Sequence, residues 1–431
     1  MAQTSSILYE LLKPWVRQGA LLFFRKVQVH GVENFPMHRP VILVANHQNA
    51  MLDPVLVCLM LPKQLHWLTR ADVFRKPALN KLLRHLNMLP VYRERDKVSD
   101  LHGVNKDTFD QCNQRLAHHA VMCVFPEGTH RGKKQLIPLK KGVARMATTA
   151  VQHGIHDLCI VPVGLDYESY YNHRTTLLLN IGEPIEVLPI IEASTDPARA
   201  QNMMLATIRA ALKELMLDIE NDQVYDAAMA VQPLCNKLYA SSELHKPFSK
   251  MHLLVDKLNH HEDLRTELNA LAKPYRELAH DLHIVERNYR EKGLAWWQYV
   301  LLVLAAPPAL LAIVLFSPVH FFAKQFISSK VQDPLFVNSI RVCIWTFLAP
   351  VCTALMATAV ALITCNVWWW LPAATAMVLC GITALYWMQW WQLLRHHKRC
   401  VNYKKKRPDE WAAWTTARSA LKQWITKHTT T

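Results

Sequence analysis

The sequence predicts an α/β domain with a mainly parallel sheet, followed by a helical segment and a C-terminal membrane helical region. Three observations predict this. Short apolar runs rich in β-branched residues alternate with helical patterns over residues 28–190, as strands joined by crossover helices do. Residues 196–292 are polar, helical in pattern and nearly free of strand signals. Residues 342–365 and 367–391 contain no charged side chain, and each exceeds the roughly 20 apolar residues that a bilayer requires.

Composition narrows the partners. The net charge is +15 over 431 residues, which favours anionic surfaces and phosphate-bearing substrates. A nucleic-acid partner fits poorly, because the basic residues lack the aromatic interleaving of RNA modules. The 10 cysteines occur singly, without a C-x-x-C pair, so they read as free thiols in a reducing compartment. His260-His-Glu-Asp263 reads as an exposed helix face, no H-E-x-x-H spacing occurs, and no metal is expected.

Taken in order, residues 1–27 are apolar but interrupted by Glu10, Lys13 and Arg17. They suit an interfacial helix, with Trp15 and Phe23-Phe24 in lipid; a helix packed on its own domain is the other reading. Residues 25–31 form a first strand ending in a turn at Gly31. Residues 41–45 are a continuous apolar run and read as a buried strand. Asn46 and His47 stand at its end, and Asp53-Pro54 opens the next helix, to about Leu61. An imidazole and a carboxylate thus share one strand-to-helix connection, where the sites of α/β folds collect. Neutral His takes a proton from a hydroxyl near pH 7, and a carboxylate fixes its tautomer. Asp53 equally suits a plain helix cap.

A strand over 64–69, a basic helix over 71–87 and a strand over 88–92 follow, with Arg93 just beyond. Residues 98–119 read as a helix and 120–125 as a strand leading into Pro126-Glu-Gly-Thr129. Gly128 permits backbone that other residues avoid, so its N–H can approach an anion. Arg131 with Lys133 and Lys134 suits an anion site, and Lys140-Lys141 before the helix 143–153 faces either phosphate or water. Strands over 160–165 and 177–181 complete the α/β domain, bounded at 28–195.

Beyond it lie a helical segment, 196–295, a membrane region, 296–391, and a basic tail, 392–431. Within the membrane region, 296–322 is broken by Pro307-Pro308 and is expected to re-enter or lie in the interface, while 342–365 and 367–391 form a transmembrane hairpin. Lys and Arg flank this hairpin on both sides and avoid its turn at Asn366, which puts both ends in the cytoplasm.

Four motifs in order across 41–165 resemble the glycerolipid acyltransferases, the family of glycerol-3-phosphate and 1-acylglycerol-3-phosphate enzymes. They are Asn46-His47 with Asp53, Arg93 after Leu89-Pro-Val-Tyr92, Phe125-Pro-Glu-Gly128, and Ile160-Val-Pro-Val163. Five residues separate His47 from Asp53, one more than the commonest family pattern, which is similar to a long-spacing branch containing fungal-type glycerol-3-phosphate acyltransferases. A second departure is His130 where the family often has Arg. The resemblance implies His47 as general base, Asp53 as its orienting partner, and Asn46, Arg93, Glu127, Gly128, Thr129, Arg131 and Lys140 as substrate-binding residues. It implies an acyl-CoA or acyl carrier protein donor, a glycerol-phosphate-type acceptor and no cofactor. Membrane lipids are the expected surroundings, with the catalytic domain on a cytoplasmic face, at a bacterial inner membrane rather than an endoplasmic reticulum. An acyltransferase for another lysolipid, or an inactive membrane scaffold of the same fold, is the alternative.

Overall fold

The computed structural model describes residues 6–92 and 99–430, except the side chains of residues 101 and 102. Arg93 lies outside the described residues. The chain divides into two compact units, Met1–Asp218 and Ile219–Thr431.

The first unit runs α1 (Ile7–Phe23), β1 (Lys26–His30), β2 (Val41–Ala45), α2 (Leu52–Met60), β3 (Leu65–Arg70), α3 (Pro77–His85), β4 (Met88–Val91), α4 (Leu101–Leu116), β5 (Val121–Val124), α5 (Gly142–Gln152), β6 (Cys159–Tyr167), β7 (Thr176–Ile181), β8 (Ile185–Glu186), α6 (Val187–Glu192) and α7 (Pro197–Leu215). The sheet order is β1-β7-β6-β2-β5-β3-β4, with β8 beside β6. All pairings are parallel except those of β6 with β7 and with β8. β2 lies at the centre with every residue buried, which is why it reads as an unbroken apolar run. Its register aligns Val44 with Val124 of β5 and Ala45 with Val163 of β6. The residues after β2 and β5 therefore emerge side by side at one edge.

One face of the sheet, through Ile42, Val44, Met122 and Ile160, packs on α4, α5 and α7. Here the structure corrects the boundary at 195. Ala200, Met204, Ile208 and Leu212 recur four apart on α7 and are all buried, so this helix belongs to the α/β unit. A second correction concerns 71–87. A 3-10 turn over Ala71–Phe74 precedes α3, which starts at Pro77. Proline disfavours helical backbone at the residue before it, so the segment breaks there. α1 has two faces: Tyr9 and Ala20 are buried on the domain, as is Phe24 just after the helix, while Ile7, Leu11, Trp15 and Leu22 are exposed.

The second unit contains α8 (Asp222–Leu238), α9 (His245–His260), α10 (Glu262–Asp281), α11 (Trp296–Leu304), α12 (Ala306–Leu315), α13 (Ser317–Lys330), α14 (Pro334–Ile363), α15 (Trp370–Lys406) and α16 (Pro408–Thr429). α14 and the helical stretch through α15 are long and apolar enough to cross a membrane, and α11 and α12 form a pair bent by 48°. The bend falls just before the Pro307-Pro308 pair, which opens α12. Both long helices exceed their expected bounds, α15 running through the basic residues to Lys406. The later part of the expected basic tail is instead α16, with Trp414, Leu421, Trp424 and Ile425 buried. Arg418 on the same helix holds Glu286 with two hydrogen bonds of 3.0 and 2.8 Å. An amphipathic stripe and a buried ion pair fix what charge density alone made look solvated.

Candidate active site

The His47–Asp53 connection is built around one carboxylate. Asp53 is fully buried, and its Oδ2 lies 2.9 Å from His47 Nδ1. The same oxygen accepts the N–H groups of Gln48 and Asn49 at 2.8 and 2.7 Å. Oδ1 accepts the hydroxyl of Tyr167 at 2.6 Å. Asp53 is therefore not the simple cap considered above: α2 begins at Leu52, and the carboxylate faces back into the connection. An ionised carboxylate only accepts, so the network assigns the imidazole proton to Nδ1 and leaves the Nε2 lone pair for an incoming proton.

The longer connection turns through Ala50, which has φ of 42° and is buried. Left-handed backbone strains a residue with a Cβ, and a β-branched one most. Ala50→Val is expected to lower stability by roughly 2 kcal/mol or more. Ala50→Gly is expected to be near neutral, because relieved strain offsets lost methyl burial and added chain entropy. Thermal melts of both variants check this.

Glu127 crosses to the same edge from β5. It is buried, and accepts the His47 N–H at 2.6 Å and the Ile137 N–H at 3.3 Å. Burial pushes its carboxyl up to about 7, against the pull of these two donors. Its contacts have it holding donors in place, whereas the resemblance implies a substrate contact. Phe125 stacks on the imidazole with centroids 4.3 Å apart, and Trp67 stacks behind Phe125 at 5.8 Å. His130 meets the imidazole edge-on at 5.5 Å. The loop is closed by the Arg131 N–H to the His47 carbonyl at 3.2 Å and the Lys140 N–H to the Pro126 carbonyl at 2.7 Å. Gly128, at φ of 69°, makes the turn, and a Cβ there would meet only the Lys140 stem. The backbone angle, not space, demands glycine. Gly128, Thr129, Arg131 and Lys140 are all exposed at this edge.

Two expected substrate contacts come out differently. The Asn46 amide is fully buried and is spent on Leu165, accepting its N–H at 2.7 Å and donating to its carbonyl at 3.1 Å. It ties β2 to β6 rather than facing a ligand. Lys134 is buried, donates to the Tyr167 carbonyl at 2.8 Å and pairs with Asp166, so it is withdrawn from any anion site. Among the described residues no His, Cys, Asp or Glu cluster has the makings of a metal site. Tyr167 is the residue that sequence reasoning missed. It lies four positions past Val163, and only the pairing of β6 with β2 brings it to Asp53.

Residues 26–166 match the model of the family described as Acyltransferase. Glycerol-3-phosphate O-acyltransferase 1 of Saccharomyces cerevisiae is 25% identical over 249 residues, covering 53% of this chain and 32% of that one. The 1-acyl-sn-glycerol-3-phosphate acyltransferase of Bacillus subtilis is 24% identical over 198 residues, covering 45% of this chain and 88% of that one. The crystal structure of the 1-acyl-sn-glycerophosphate acyltransferase of Thermotoga maritima aligns with a TM-score of 0.36 at 21% identity, over 48% of this chain and 79% of that one. The chain thus spans about a third of the length of its yeast relative. Over residues 26–166 it carries a domain of the acyltransferase family.

Proposed function

We propose that this protein transfers a fatty acyl group from a thioester, acyl-CoA or acyl carrier protein, to a hydroxyl of glycerol-3-phosphate or lysophosphatidate. The observation that carries the reading is the His47–Asp53 pair at the strand-end edge, in which the buried carboxylate engages Nδ1 and leaves Nε2 to take the proton. The acceptor hydroxyl gives its proton to Nε2 as its oxygen attacks the thioester carbonyl. Collapse of the tetrahedral adduct breaks the C–S bond, and the departing thiolate takes the proton from the imidazolium. The products are an ester and a free thiol, and the imidazole is restored. An activated thioester and one base suffice, so no cofactor is invoked. The test is an acyl-transfer assay offering purified protein glycerol-3-phosphate, lysophosphatidate and monoacylglycerol; turnover of none favours a scaffold.

A phosphate-bearing acceptor should be preferred over its dephosphorylated form. The exposed Arg131 and Lys140 beside Gly128 support an anion site at the edge, and the sequence motif adds Arg93. A planar guanidinium clamps phosphate through two N–H groups and orients the hydroxyl toward His47. Arg93→Ala should narrow the phosphate preference, and Arg93→Lys should restore it only in part, since Lys lacks the fork. Kinetics with the same three acceptors decide this, and an unchanged preference in Arg93→Ala removes Arg93 from the site.

The protein is further proposed to act at a membrane, with α14 and α15 as a hairpin whose ends share the cytoplasmic side with the catalytic domain. Lys324 and Lys330 precede it, Arg341 lies near the start of α14, and the dense basic run 395–407 closes α15, which supports this orientation. An even number of crossings then makes the bent α11–α12 pair re-entrant. In a Cys365→Ala background, which removes the exposed native thiol at the hairpin turn, Lys330→Cys should resist impermeant thiol reagents added from outside intact cells. Labelling from that side would make the bent pair a span.

A further inference from the structure

Asp53 presents its two oxygens to unlike surroundings. Oδ2 takes three donors, from His47, Gln48 and Asn49. Among the described residues, Oδ1 takes one donor, the Tyr167 hydroxyl. The torsion that turns a carboxylate is broad and nearly unhindered. Three donors crowded on one oxygen fix its position but leave the plane of the group free to pivot around it. A fourth donor at the other oxygen removes that freedom.

We propose that Tyr167 is a positioning residue for this site, its hydroxyl pinning Oδ1 so that Oδ2 stays in line with His47 Nδ1. The proposal rests on the acyl-transfer reading for its kinetic consequence, but not for its structural one.

The phenol is held from several sides. Its ring is fully buried, with Phe24 at 6.3 Å and Tyr170 at 5.5 Å between centroids. Its carbonyl accepts Lys134 Nζ at 2.8 Å, and that ammonium, itself buried, pairs with Asp166 one residue earlier. A buried ammonium without partners is strongly unfavourable, so Lys134 locks the end of β6 at the height where Tyr167 reaches Asp53. Asn46 locks the same strand two residues earlier, at Leu165. Burial and the neighbouring Asp53 charge push the phenol well above its ordinary range, so it remains a donor wherever the enzyme works. A loop and a strand end thus meet on one carboxylate: the connection after β2 supplies the base, and the end of β6 sets its angle. The long His47-to-Asp53 connection, turning through the left-handed Ala50, makes an outside anchor useful, because the connection alone carries no donor to Oδ1.

The test is Tyr167→Phe in the full-length protein, assayed well below its melting temperature. This change removes one oxygen and keeps the ring. kcat should fall about 10-fold, the scale of one charge-assisted hydrogen bond, while KM for donor and acceptor stays within about 2-fold. In the substrate-free protein, the NMR resonance of the proton on His47 Nδ1, identified by its loss in His47→Gln, should shift and broaden. Lys134→Met should produce the same shift in weaker form. An unchanged kcat overturns the proposal, as does a loss confined to KM, or a fall in kcat with the Nδ1 resonance unmoved. If the wild-type protein turns over no thioester, the acyl-transfer reading fails by itself, and the Nδ1 resonance still decides the role of Tyr167.

Discussion

Replacing His47 with Ala is expected to lower the acyl-transfer rate by roughly 100-fold or more, the usual scale for loss of a general base. The fold should survive. Only 17% of the imidazole side chain is exposed, so the change removes a stacked ring from Phe125, but it strands no buried donor. Asp53 Oδ2 keeps the Gln48 and Asn49 N–H groups, and Oδ1 keeps Tyr167. The His47 N–H still reaches Glu127, because that bond is made by the backbone. A folded, monodisperse variant with near-normal turnover would remove His47 from the chemistry. His130, whose ring lies 5.5 Å away, would then be the next base to test.

The elements that define this edge were legible in the sequence for a physical reason. A strand buried on both faces must be an apolar run, and residues after such strands must turn, so 41–45 and 121–124 announced themselves with His47 and Glu127 behind them. The motifs added what spacing cannot, namely that these two loops belong to one site. Contacts made across the sheet were not legible. Nothing near Tyr167 points to Asp53 until β6 is known to lie beside β2, and Asn46 could not be told from a ligand contact before Leu165 was placed opposite it. Lys134 misled for a related reason: a lysine among basic neighbours reads as part of an anion site, and only its burial against Asp166 shows otherwise. Residues 408–429 were hidden by composition. The dense charge just before them suggested a solvated tail, while Trp414, Leu421 and Ile425 were already spaced for a helix with a buried stripe.

Two substitutions at Asp53 should part company. In Asp53→Ala four donors lose their acceptor: the His47 Nδ1–H, the N–H groups of Gln48 and Asn49, and the Tyr167 hydroxyl. Each buried donor left unpaired costs about 1–3 kcal/mol, so a destabilisation on the order of 3–5 kcal/mol is expected along with loss of activity. Asp53→Asn keeps the shape and one acceptor. The backbone N–H groups of Gln48 and Asn49 cannot turn away, so they force the amide oxygen into the Oδ2 position. The amide nitrogen then faces Tyr167, whose hydroxyl can rotate to accept from it. His47 Nδ1 still meets an oxygen, and the imidazole keeps the tautomer that leaves Nε2 basic. What disappears is the negative charge that stabilises the imidazolium as the hydroxyl proton arrives. Where an amide also reverses the tautomer, the loss reaches about 10⁴-fold; with the tautomer held by two backbone donors it should stay nearer to 100-fold, with melting close to wild type. Measured kcat and thermal melts of the two variants separate these effects. A loss in Asp53→Asn as deep as in Asp53→Ala would mean either that the held tautomer counts for nothing without the charge or that the backbone donors do not set the amide.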